Sequence, residues 1–124
     1  ALNGEAPLYR IAFRLAGADP RATLRDDTSQ PGLDAVEAAL TRLDARTPWT
    51  TQTLDLIAEN PAVGAPDLAA RLGRETAPFK ANVRKLKALG LTISLDVGYR
   101  LSPRGEALRA RRLQRAAAKA NPPA

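Results

Sequence analysis

From Leu8 to Leu15 apolar and polar positions alternate, with Tyr9, Ile11, Phe13 and Leu15 on one side and Arg10, Ala12 and Arg14 on the other. A period of two predicts a strand with one buried face. Gly17-Ala18-Asp19-Pro20 predicts a turn, Ala22–Arg25 is a candidate second strand, and Asp26–Gly32 reads as loop. A lone strand leaves its ladder groups unpaired. The first strand therefore needs either Ala22–Arg25 as a hairpin partner, or a preceding domain or second chain. From Leu33 the period changes. Leu33, Val36, Leu40 and Leu43 form the seam of an amphipathic helix reaching about Arg46.

Local punctuation divides the rest. Thr47-Pro48 predicts a cap and first helical position, with Trp49, Leu54, Leu56 and Ile57 on the apolar side and a stop at Asn60-Pro61. After an extended link through Val63, Pro66 opens a short helix, Asp67–Leu72, which Gly73 ends. The next helix runs from about Thr76 to Leu89, with Thr76 as its expected cap, Pro78 in its first turn and Gly90 at its end. Leu91, Ile93 and Leu95, then Asp96-Val97-Gly98, then Tyr99 and Leu101 predict a β-hairpin. Ser102-Pro103 opens a last helix through about Lys119, and the chain ends in a frayed Asn-Pro-Pro-Ala tail. The expected fold class is mainly α with a small β component. The division is 1–46 as a strand-and-helix extension (for dimerisation or for linking to a preceding domain), 47–116 as the main domain, and 117–124 as a flexible tail.

Composition narrows the chemistry. The 124 residues contain no Cys and no His, which excludes a zinc finger, a Cys nucleophile, a disulfide framework and a His base. The 13 acids show no motif. No enzyme, metal site or cofactor is expected. No apolar run approaches the ~18–20 residues of a membrane span, and no signal peptide is visible. A cytoplasmic protein with no membrane partner is the expectation. A chain that begins Ala1 and holds no Met is mature, trimmed or part of something longer. The Ala and Arg bias also follows from GC-rich coding.

The charge is uneven. Residues 1–60 hold six basic and nine acidic side chains, net −3, whereas 61–124 hold thirteen and four, net +9. A polyanion would be drawn to the second half. Nucleic acid is the commonest such partner. An anionic membrane is disfavoured because the basic stretches lack a Trp/Phe/Leu-rich face. A solvated basic surface is the plain alternative.

Two helices joined by Gly73-Arg74-Glu75 make a helix-turn-helix, and the hairpin after the second has the place of a wing. Asp67-Leu68-Ala69, Leu72-Gly73, Gly90-Leu91 and Leu101-Ser102-Pro103-Arg104-Gly105 fall in an order that resembles the winged-helix domain of MarR-type bacterial transcriptional regulators. The resemblance covers about Pro48 to Arg112. It implies double-stranded DNA as partner, with helix 76–89 in the major groove. The short turn carries Asp96 where a phosphate-grasping Arg is expected, and the N-terminal segment begins with a strand instead of the family's dimerisation helix.

At about 100° per residue, Phe79, Val83, Leu86 and Leu89 face inward on this helix, and Ala77 and Ala81 face outward between Lys80, Arg84 and Lys85. A small-residue floor with a cationic rim suits a major groove. The candidate DNA-binding residues are Arg74, Thr76, Ala77, Lys80, Ala81, Arg84, Lys85, Arg100 and Arg104. Lys80 and Arg84 would meet guanine edges or phosphates, the two alanines thymine methyls, and Arg100 a phosphate. Trp49 reads as a core anchor. Arg104, Arg111, Arg112, Arg115 and Lys119 read equally as phosphate contacts or as a solvated face. Leu33–Leu43 is a candidate homodimer interface. A DNA-guiding domain of a larger enzyme and a protein-interaction winged helix are the competing readings. No small-molecule effector signature is visible.

Overall fold

The computed structural model describes residues 20–120. The expected strand Tyr9–Leu15, most of the turn after it and the tail residues 121–124 lie outside the described residues. Six helices and one hairpin follow in order: α1 Pro20–Asp26, α2 Gln30–Leu43, α3 Thr50–Glu59, α4 Ala65–Arg71, α5 Thr76–Ala88, β1 Thr92–Ser94, β2 Tyr99–Leu101 and α6 Pro103–Ala120. The described chain is mainly α with a small antiparallel β part.

The candidate strand Ala22–Arg25 is instead part of α1. Its four residues alternate over too short a run to fix a strand, and Pro20 sits at the start, where its fixed φ favours a helix. The helix lies against α6. The following loop builds the next cap: Asp27 Oδ1 accepts from the Ser29 amide at 3.0 Å and hydroxyl at 2.6 Å, and Ser29 Oγ accepts from Gly32 N–H at 3.1 Å. Thus α2 begins at Gln30, inside the expected loop.

Helix α3 is not capped by Thr47. Its own N-cap position is Trp49, which offers no capping side chain. Asp44, the residue that closes α2, supplies the acceptor. Asp44 Oδ1 takes the Trp49 and Thr50 amides at 2.8 and 3.0 Å, and Oδ2 takes the Thr50 hydroxyl. One carboxylate therefore ends one helix and starts the next.

The two glycine stops form as expected. Gly73 (φ +66) and Gly90 (φ +78) adopt the left-handed conformation. After α4, Gly73 N–H reaches Ala70 O and Arg74 N–H reaches Ala69 O. After α5, Gly90 N–H reaches Lys87 O and Leu91 N–H reaches Leu86 O. Both are Schellman closures, which satisfy carbonyls that a helix end leaves free. Ser102 caps α6, accepting from Gly105 N–H at 3.0 Å while its own hydroxyl donates to Gly90 O.

The hairpin pairs Thr92 with Leu101, Ile93 with Arg100 and Ser94 with Tyr99. Leu91 is buried, but Leu95, expected on the inner face, is exposed at the tip with Val97. The link after α3 runs beside β2, with Ala62 N–H donating to Tyr99 O at 3.1 Å. A single core joins all of this: Leu33, Val36 and Leu40 of α2 lie in one cluster with Trp49, Ile57, Leu68, Phe79, Val83, Leu86, Leu101 and Leu108.

The core runs across residue 46, because the α2 seam shares it with the helices that follow. The α2 seam is also closed to a second subunit, since Leu33, Val36 and Leu40 are 4%, 2% and 0% exposed within their own chain. Helix α6 extends through Ala120, so the expected tail begins as helix.

Candidate functional site

The core-facing side of α5 is as the sequence predicts, with Phe79, Val83 and Leu86 buried. The opposite side is open. Ala77, Lys80, Arg84 and Lys85 are exposed and Ala81 is half-buried. The alanines keep the helix surface low, and the long cations rise around it.

Thr76 is half-buried at the first helical position. Glu75, one residue earlier, holds the cap position and makes no side-chain cap bond. Thr76 is therefore not the expected cap. Arg74 is half-buried in the turn before the helix, where its amide closes α4. Arg100 is exposed on β2, in register with Ile93. Lys85 leans to the other edge of the helix, its Nζ 5.8 Å from the centroid of the Trp49 ring. At that distance the ring's negative face attracts the ammonium. Trp49 itself is buried, with its indole N–H on Leu43 O at 3.1 Å, as a core anchor should be.

Arg104 stands apart from the other candidates. It is 5% exposed. Nε donates to Asp27 O at 3.0 Å and Nη1 to Leu89 O at 2.8 Å, while Nη2 meets Asp27 Oδ2 at 3.3 Å and Gly32 O at 3.4 Å. The guanidinium joins the loop before α2 to the end of α5. It has no face left for a phosphate, so its expected role is corrected to a structural one.

The remaining arginines of α6 pair with acids of the same chain, with Arg115 still 55% exposed at its side chain and Lys119 exposed beyond them. Arg109 pairs with Asp55 and Glu59 of α3. Arg111 pairs with Asp34. Arg112 and Arg115 both pair with Glu37, at 2.9 and 2.8 Å. The anions they meet belong to α2 and α3, in the acidic first half of the same chain. Among the described residues every ion pair runs from α6 to these helices or to Asp27. Lys80, Arg84, Lys85 and Arg100 are in none of them.

Helix α5 and the hairpin also enclose a cleft that the sequence reading missed. It is lined by Lys80, Val83, Arg84, Lys87, Ser94 and Tyr99. Lys87 Nζ donates to Ser94 Oγ at 3.2 Å across it. Burial pushes the Tyr99 phenol above its ordinary pKa of 10.0, against an opposing pull from the Arg84 charge, so it remains an O–H donor at neutral pH. Lys87 lies three residues after Arg84 and seven after Lys80, on the same helical face. That spacing was the available signal.

Among the described residues no group of His, Cys, Asp or Glu side chains could hold a metal ion, and no helix is long and apolar enough to cross a membrane. Compared with known proteins, the chain matches no family model, no curated protein and no solved structure.

Proposed function

We propose that this chain is a winged-helix domain that binds double-stranded DNA, with α5 in the major groove and the β1–β2 hairpin as its wing. The observation that carries the reading is the contrast between the two basic helices. The α6 arginines are neutralised by acids of α2 and α3, whereas the α5 cations stand exposed around a floor of Ala77 and Ala81 with no carboxylate partner among the described residues. The uncompensated positive field is thus concentrated on one side, where a polyanion would dock. Ser102-Pro103 and the glycine closures fix α5 and the hairpin relative to each other, which supports a rigid reading head.

The use we assign is transcriptional regulation in a bacterial cytoplasm, by equilibrium binding without catalysis or a cofactor. Lys80 and Arg84 would reach guanine edges or phosphates, Ala77 and Ala81 thymine methyls, and Arg74, Lys85 and Arg100 flanking phosphates. With few polar groups on the outward face, phosphate contacts would supply most of the affinity. A homodimer on a palindromic site would need a surface other than the α2 seam.

The test is a titration of random-sequence duplex DNA at two salt concentrations. Counterion release makes log affinity fall with log salt at a slope of about −0.9 per phosphate neutralised. A steep negative slope is expected. Absence of duplex binding at low salt, or binding indifferent to salt, overturns the reading.

A further inference from the structure

We propose that the cleft between α5 and the hairpin is a phosphate-binding site, gripping one phosphodiester of the DNA backbone between Lys80, Arg84 and Lys87 on one wall and Ser94 and Tyr99 on the other. This rests on the DNA-binding reading and deepens it by adding Lys87 of α5 and Ser94 and Tyr99 of the hairpin.

The charge argument comes first. Three cationic side chains line one small cleft, and among the described residues no carboxylate lines it with them. Like charges held this close repel unless water or an anion intervenes. Elsewhere in the molecule arginines gathered on a helix are met by Glu37, Asp34, Asp55 or Glu59. Here they face none among the described residues. The nearest acid in the adjoining recess is Asp96 at the hairpin tip. That recess shares Lys80, Ser94 and Tyr99 with the cleft.

The donor set agrees. Two ammonium groups, a guanidinium, a hydroxyl and a phenol form a set rich in hydrogen-bond donors around a floor provided by Val83. An oxyanion accepts from all of them, and charge-assisted bonds of this kind are the stronger ones. A metal cation would be repelled. Size also discriminates. The cleft holds about 230 Å³, below the roughly 300–1,000 Å³ of sites that enclose whole metabolites. A phosphate group fits where a nucleotide does not. The placement beside the outward cations of α5 makes a backbone phosphate the natural occupant.

The test uses the full chain and the variants Lys87→Gln, Tyr99→Phe and Ser94→Ala, each checked for an unchanged thermal melt. The probes are a 20-base-pair duplex at two salt concentrations and inorganic phosphate followed by the amide and phenol NMR signals of the cleft. Lys87→Gln is expected to weaken duplex binding about tenfold and to reduce the salt slope by about one. Tyr99→Phe and Ser94→Ala are expected to weaken it about threefold with the slope unchanged, because they remove donors and no charge. Duplex affinity unchanged in all three variants overturns the cleft while leaving the DNA-binding reading in place. Saturable inorganic phosphate binding without any duplex binding retains an oxyanion site, overturns its backbone occupant and overturns the DNA-binding reading. Failure to bind either probe overturns both.

Discussion

Arg112 directs both Nε and Nη2 at the same oxygen, Oε1 of Glu37, at 3.1 and 2.9 Å, while Arg115 takes Oε2 at 2.8 Å. One carboxylate on α2 thus anchors two turns of α6 across 75 and more residues of chain. Glu37 is 21% exposed at the side chain and Arg112 28%, so the pairing is partly shielded from solvent. A network of this kind exceeds the ~0–1 kcal/mol of an isolated surface pair.

Glu37→Gln is therefore expected to lower folding stability by about 1–2 kcal/mol, with a smaller loss at high salt as screening weakens the pairs. Urea unfolding at two salt concentrations measures both. Duplex affinity should not fall, because the arginines so released add positive charge. A drop in affinity at unchanged folding would mean that α6 takes part in binding through its paired form.

Arg104→Ala tests the corrected role of that residue. Removing the guanidinium leaves Leu89 O and Asp27 O without their partner inside the fold. A buried acceptor left without its donor costs about 1–3 kcal/mol, so the variant should be clearly destabilised in denaturant titrations. Arg104→Lys should recover little, since a single ammonium cannot span acceptors on both sides of the helix. A stable variant with weakened DNA binding would restore Arg104 to the interface.

Acid sensitivity has two identifiable sources. Burial acts to raise the pKa of Asp44, but the Thr50 hydroxyl, the Trp49 and Thr50 amides and the Arg112 charge together bring it below the ordinary 3.8. The Ser29 hydroxyl and amide hold Asp27 below the same value, with burial opposing them and Arg104 assisting. A carboxylate depressed in the folded state stabilises fully above its unfolded pKa. That contribution is lost as pH falls through the folded value. Stability should therefore decline on acidification below about pH 4. Asp44→Asn should be less stable than the parent at pH 7, with the gap narrowing as pH drops below 3.8. Melting temperatures at pH 7 and pH 3 decide this, and a constant gap would assign the loss to something other than ionisation.

What the sequence made legible was local. Gly73, Gly90 and Ser102-Pro103 each act within a few residues of themselves, and each closes or opens a helix as its type requires. The inward face of α5 followed from its period. Thr47-Pro48 failed because Asp44 reaches forward and out-competes a local hydroxyl for the α3 amides. Arg104 failed because its acceptors come from residues far apart in the chain, so nothing beside it marks it as interior. The α2 seam was correctly apolar, but periodicity says that a face is covered and not by what. The α6 ion pairs did have a signal. An acidic first half and a basic second half are each other's nearest counterions, a pairing that neither an outside polyanion nor a solvated face takes into account.

The α5 face is tested most directly by replacing its cations. Lys80 and Arg84 are exposed, lie four residues apart and enter no ion pair among the described residues, so their truncation leaves no buried charge behind. Lys80→Ala with Arg84→Ala should change stability within about 0.5 kcal/mol, as surface substitutions usually do. If each cation meets a base edge or a phosphate, the pair should reduce duplex affinity about a hundredfold and flatten the salt slope by up to about two. Glu37→Gln serves as the counter-control, altering stability with the α5 face intact. Retained affinity in the folded double variant would move the interface off α5, and Arg100 on the hairpin would then be the next to replace.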